Sequence, residues 1–161
     1  MLLISLVLLI FGCKPKYPYS FEIPALLPDE DLICHTYYCF VYEDEHKQSK
    51  WLAYKLGSDM TTGDEGRSTR FFIDTLVVSG TATDTDYKGS GFDRGHLVPA
   101  GDMAFCDIAM KESFYYSNIS PQLPAFNRGI WKKLEANVRD YSQNLHEIYV
   151  VTGPVLSDGL T

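Results

Sequence analysis

The sequence predicts an α+β domain, and three observations predict it. Two aromatic-rich stretches in the first half, residues 35–42 (HTYYCFVY) and 51–56 (WLAYKL), have the composition of strands. In the second half Ile130, Leu134, Val138, Tyr141 and Leu145 recur at spacings of 4, 4, 3 and 4, the period of an amphipathic helix. An apolar, β-branched run at 147–152 (EIYVVT) follows directly and is closed by Gly153-Pro154.

The first twelve residues (MLLISLVLLIFG) are apolar throughout. A bilayer-spanning helix needs about 20 residues, so this run suits the core of a secretory signal instead. A small residue precedes Cys13, which resembles a bacterial lipoprotein cleavage site, with Cys13 as the lipidated first residue of the mature chain. The expectation is an exported bacterial membrane lipoprotein, periplasmic or at the cell surface, with ordinary secretion as the alternative. Residues 13–33 hold Pro15, Pro18, Pro24 and Pro28 and an acidic run, and read as a tether. The domain is expected over 34–161.

Within it, the polar stretch 43–50 turns the two aromatic strands into an antiparallel hairpin. Residues 57–70 form a polar loop, and 80–91 are dominated by Gly, Thr, Asp and Ser. Short strands are expected at 96–100 and 114–119. The helix is expected over 127–145, after Pro121 and Pro124, with Asn127 as its N-cap. The chain stops soon after the last strand, so a fragment of a longer protein is expected.

The 161 residues are 45% hydrophobic and 22% charged, enough for one cored domain and unlike a disordered chain. The formal net charge is -7, which argues against a sequence-reading DNA binder with a broad basic face. A divalent cation and a few arginines can still supply positive potential locally. Cys34, Cys39 and Cys106 have no C-x-x-C spacing, and their pairing does not follow from sequence. Cys34 and Cys39 read as strand residues, not as part of a zinc site. Asp84-Thr-Asp86 begins like a calcium loop, but Lys88 and Gly95 occupy positions that need oxygen ligands.

The strongest chemical signal is the stretch 87–103, in which glycines flank Asp93-Arg94-Gly95-His96. Histidine suits base catalysis because its ordinary pKa lies near neutrality. Downstream, Asn118 and Gln122 precede the helix, and Asn127, Trp131 and Glu135 recur at intervals of four on it. An amide oxygen and a carboxylate near a helix start suit Mg²⁺, which prefers oxygen ligands and keeps several waters. Read singly, Asn127 would only cap a helix and Glu135 would be a solvated charge.

Together these motifs resemble the DNA/RNA non-specific endonucleases, a family of ββα-metal (His-Me finger) nucleases. The resemblance rests on Asp93-Arg94-Gly95-His96, then Ser117-Asn118-Ile119-Ser120-Pro121-Gln122, then Asn127, Trp131 and Glu135. Trp51-Leu52-Ala53-Tyr54 and Val151-Thr152-Gly153-Pro154 match family segments in the same order, so the resemblance covers about residues 35–156. It implies a metal-dependent endonuclease acting on DNA and RNA, with a ββα-metal fold and a long helix carrying the metal ligand.

It implies His96 as general base and Asn127 as the direct ligand of one Mg²⁺, with Mn²⁺ or another divalent cation as a substitute. Glu135 would hold water of the cation's hydration shell. Asn118 and Gln122 would support the site or touch substrate, and Asp93 and Arg94 would brace the segment carrying the base. The phosphate-stabilising arginine would be Arg67, preferred over Arg70 by its place in the pattern Arg, then Phe, then Asp. A homodimer and a membrane contact through the lipid fit the same reading. The family continues with more strands and helices where this chain stops. The competing expectation is a catalytically inactive lipoprotein module of the same fold that binds nucleic acid or another partner.

Overall fold

The computed structural model describes residues 23–157. The expected export signal and the lipidated Cys13 lie outside the described residues. Among the described residues, no helix is long and apolar enough to cross a membrane.

The strands are β1 (Leu32–Cys34), β2 (Tyr38–Glu43), β3 (Gln48–Gly57), β4 (Asp93–His96), β5 (Ile119–Gln122) and β6 (Glu147–Thr152). Four form an antiparallel sheet in the order β1-β2-β3-β6, and β4 pairs with β5 in a separate two-stranded ribbon. The aromatic hairpin is β2 with β3, in register from Tyr38↔Tyr54 to Glu43↔Gln48 with a bulge at Val41/Tyr42. Its tight turn is possible because Lys47 adopts a positive φ of 50°. Tyr38, Phe40, Leu52, Tyr54 and Leu56 are fully buried and form the main core with Leu97, Val98 and Met103.

Cys34 and Cys39 are cross-strand neighbours on β1 and β2 and are joined by a disulfide. The bond tethers β1, and Leu32 and Ile33 therefore belong to the sheet, not to the tether expected up to residue 33.

The helices are α1 (Asp84–Tyr87), α2 (Asp107–Ser113), α3 (Pro124–Phe126) and α4 (Lys132–Leu145), with a π-helical turn at Asn127–Trp131 joining the last two. The long helix thus begins at Pro124, whose ring presets the first helical φ. Asn127 already has helical dihedrals and does not cap. The expected apolar stripe also fails as a core stripe. Val138 packs on the main core, while Ile130, Leu134, Tyr141 and Leu145 are exposed. On β6, Tyr149 and Val151 are exposed as well, so among the described residues this strand stands at the edge of the sheet, where its composition suggests a buried strand.

The two short strands expected at 96–100 and 114–119 are displaced. β4 ends at His96, residues Ala100–Met103 form a 3₁₀ turn, and Tyr116–Asn118 form another before β5. Buried polar contacts lock these turns to the main sheet. His35 Nε2 meets Asp74 Oδ2 at 2.7 Å, and Ser117 Oγ donates to the same oxygen. Thr36 donates its backbone N–H and hydroxyl to Glu112, and Ser49 Oγ donates to the Ser117 carbonyl at 2.6 Å.

Candidate active site

The site is built on β4, β5 and the helix that follows them. β4 and β5 pair antiparallel from Asp93↔Gln122 to His96↔Ile119. A Cβ on Gly95 would stand 2.2 Å from Cδ of Gln122, so glycine leaves room for that side chain to lie across the strand. Gln122 thus packs against the ribbon and does not reach the cleft. Asn118 is fully buried. Its Oδ1 accepts from the Val98 N–H at 2.8 Å, and its Nδ2 donates to the carbonyls of Val98 and Ser113. It fixes the chain just after the histidine and has no surface left for substrate.

Arg67, Arg94, His96, Asn127, Arg128, Lys132, Glu135 and Arg139 converge on one cleft of about 520 Å³, closed by Ala100 and Gly101. The histidine and the asparagine, on different elements, therefore face the same space. His96 is 6% exposed, between the rings of Phe71 and Phe114 at 5.8 and 4.8 Å. The backbone of Arg94 hydrogen-bonds the imidazole. Its Nε2 is buried with no partner among the described residues, which leaves Nδ1 to carry the proton toward the carbonyl and the Nε2 lone pair unused. Burial, then repulsion from Arg67, holds the ring neutral, with its pKa lowered to about 3.

Asn127 donates Nδ2 to Asp93 Oδ2 at 2.9 Å, and Arg128 grips the same carboxylate with Nε and Nη2. The Arg128 and Asn127 hydrogen bonds hold Asp93 below the usual carboxylate range. This ionised partner fixes the amide orientation and leaves Oδ1 of Asn127 as the acceptor. Asp93, the first residue of β4, thus also ties the strand to Asn127 and Arg128. The intervening π turn breaks the simple spacing of four: Trp131 lines an apolar groove with Leu134 and Val138 and donates Nε1 to the His96 carbonyl at 3.2 Å.

Glu135 lies one turn into α4, and burial raises its carboxyl pKa against the pull of Arg139. Arg67 places its guanidinium 5.3 Å from the Phe114 ring that also contacts His96, and its charge acts on both His96 and Glu135. Of the two candidate arginines, Arg67 lines the cleft and Arg70 does not. Arg94 binds Asp84 and the Tyr116 hydroxyl and lies over the Phe71 and Tyr87 rings. It both braces β4 and faces the cleft.

Sequence reasoning missed three cations here: Arg128, Lys132 and Arg139. Arg139 sits four residues after Glu135, a spacing that could have flagged it. Arg94, Arg128 and Arg139 are ion-paired, whereas Arg67 and Lys132 have no ion-pair partner among the described residues. With Arg94, Arg128 and Arg139 each offset by its aspartate, Arg67 and Lys132 against the carboxylate of Glu135 still leave the cleft slightly positive in a chain of net charge -7. Acidic composition and an anion-binding site are thus compatible.

The residues present fit a hydrated divalent cation. Asn127 offers a neutral amide oxygen, Glu135 a carboxylate with no ion pair among the described residues, and the cleft has room for water. Among the described residues, no group of three or more His, Cys, Asp or Glu could form an all-protein cage. A cation that keeps most of its water, as Mg²⁺ does, suits one protein ligand better than Zn²⁺ would.

Residues 20–161 match the family model described as DNA/RNA non-specific endonuclease. The chain is 36% identical over 120 residues to mitochondrial endonuclease G of Bos taurus, covering 73% of this chain and 40% of that protein. It is 38% identical over 130 residues to nuclease C1 of Cunninghamella echinulata, covering 78% of this chain and 52% of the relative. A crystal structure of EndoG with the inhibitor EndoGI superposes with a TM-score of 0.70 at 30% identity, covering 76% of this chain and 52% of that one. The chain therefore spans about half or less of the length of these relatives. The β4–β5 ribbon and following helix, with His96 and Asn127 lining one cleft, and these matches agree: the chain belongs to the DNA/RNA non-specific endonuclease family.

Proposed function

We propose that this chain is a metal-dependent endonuclease that hydrolyses phosphodiester bonds of DNA and RNA. The observation that carries the reading is that His96, whose Nε2 is buried and unpartnered among the described residues, lines the same cleft as Asn127, whose Oδ1 is left to accept. The names of its relatives, nucleases and endonucleases, support the same activity.

In this reading Asn127 would hold Mg²⁺ through Oδ1 and Glu135 through hydration water. The bound cation would withdraw charge from the phosphate and stabilise the leaving oxygen. His96 takes a proton from the attacking water at Nε2, while the Arg94 backbone keeps the ring oriented. An arriving phosphate offsets the repulsion from Arg67, so the imidazole gains basicity as substrate binds. Arg67, which has no carboxylate partner among the described residues, is available where negative charge grows in the transition state. Lys132 supplies a second uncommitted charge to hold the backbone. These contacts address phosphate, not base edges, which supports cleavage with little sequence preference.

The test is degradation of supercoiled plasmid and of a structured RNA, with Mg²⁺, with Mn²⁺ and with chelator. Both substrates should be cut in a metal-dependent way, and His96→Ala should abolish cutting. Intact substrates with wild-type protein and Mg²⁺ would refute the enzyme; binding without cutting would favour the inactive module.

We also propose that residues 1–12 direct export and that Cys13 is lipidated, on the support of the apolar run and the small residue before the cysteine. Palmitate labelling of wild type and of Cys13→Ser tests this; equal labelling would refute it.

A further inference from the structure

Glu135 and Arg139 stand at positions i and i+4 of α4, the order in which a glutamate and an arginine pair best on a helix. Yet Glu135 forms no ion pair among the described residues. The arginine is turned elsewhere: its Nη1 donates to Oδ1 of Asp102, which is fully buried. The other carboxylate oxygen of Asp102 accepts from the hydroxyl of Tyr54, fully buried on β3, at 2.8 Å. Gly101 leaves the guanidinium room, since a Cβ there would stand 3.1 Å from Nη1 of Arg139 and press on it. The main sheet, the 3₁₀ turn after His96 and α4 thus meet at one carboxylate.

We infer that Tyr54 and Asp102 form a latch that holds Arg139 away from Glu135 and so keeps the Glu135 carboxylate open to a hydrated divalent cation. The inference rests on the nuclease reading of this cleft. Asp102 and Tyr54 are positioning residues: they reach the site only through Arg139. A free Arg139, one helical turn on, could pair with Glu135 and would neutralise the carboxylate that the cation's water needs. Held by Asp102, the same guanidinium still lines the cleft as a fixed positive charge. A buried ion pair contributes little net stability against desolvation, so its retention fits a role in placement.

The experiment measures Mn²⁺ affinity of the purified chain from the electron paramagnetic resonance signal of free Mn²⁺, beside plasmid cleavage and circular dichroism. Asp102→Asn should weaken Mn²⁺ binding about tenfold, the usual scale for loss of an outer-shell partner. Adding Arg139→Gln should return the affinity to within about twofold of Arg139→Gln alone, because the competing arginine is gone. Tyr54→Phe should shift affinity in the same direction by less, and its combination with Arg139→Gln repeats the comparison if Asp102→Asn does not fold. The latch is overturned if Asp102→Asn binds Mn²⁺ as wild type does, or if the double variant is no better than Asp102→Asn. If wild type neither binds Mn²⁺ nor cuts nucleic acid, the nuclease reading falls and the latch with it. If wild type does both and the rescue fails, only the latch falls.

Discussion

The indole Nε1 of Trp131 donates a hydrogen bond to the main-chain carbonyl of His96 at 3.2 Å, tying the helix that carries Asn127 to the strand that carries the imidazole. Trp131→Phe removes the donor and keeps a ring to stack against Phe126, now 5.7 Å away. The loss should cost about 1 kcal/mol of stability. It should lower kcat about tenfold or more, since small displacements of reacting groups are costly. Urea unfolding and plasmid nicking give the two numbers; a change in stability alone would show that the bond does not align the site.

Arg67 and Arg70 should separate cleanly. Arg67→Ala is expected to reduce kcat/KM by about 10²-fold or more, the scale of a lost transition-state donor. Arg70→Ala, outside the cleft, should stay close to wild type. Removing Arg67 also removes a repulsion on His96, so the imidazole should titrate at higher pH in that variant, as read by NMR.

What was legible is which residues would come together, because the resemblance rests on motifs in a fixed order. His96, Asn127 and Glu135 do reach one cleft, and Arg67 joins them in preference to Arg70. The supporting geometry was not legible. A π turn adds a residue to the helical spiral without a compositional mark, so the interval of four from Asn127 to Trp131 misplaced the tryptophan. Pro124 displaced Asn127 from the cap because a ring that presets φ starts a helix earlier than a polar cap would. β4 and β5 have four residues each, too short for alternation to locate them. Asp102 and Arg139 are 37 residues apart, and only the fold brings them together.

Gly95→Ala should be destabilising through a collision with Gln122, by about 1–3 kcal/mol as for other overpacked sites. Gln122→Ala in the same chain should recover most of that loss. Chemical denaturation of the two single variants and the double variant gives the coupling; strict additivity would show that the collision is not the cause.

The buried imidazole should also shape acid stability. Its pKa in the folded protein, about 3, lies below the ordinary value of 6.5. Between these values the unfolded chain binds a proton that the folded chain refuses. Stability is therefore full above about pH 6.5 and falls as pH drops toward 3. His96→Asn should flatten that decline, measured as unfolding free energy against pH. Parallel curves for the two proteins would contradict the burial argument.

The outer edge of β6 has wider consequences for handling the protein. Among the described residues its main-chain groups are bonded toward β3, and Tyr149 and Val151 flank them with exposed apolar surface. Such a rail can recruit any extended polypeptide, a misfolded neighbour included. Concentrated preparations should accordingly form β-rich precipitate on storage, and Val151→Lys should suppress it, as light scattering and thioflavin fluorescence would record.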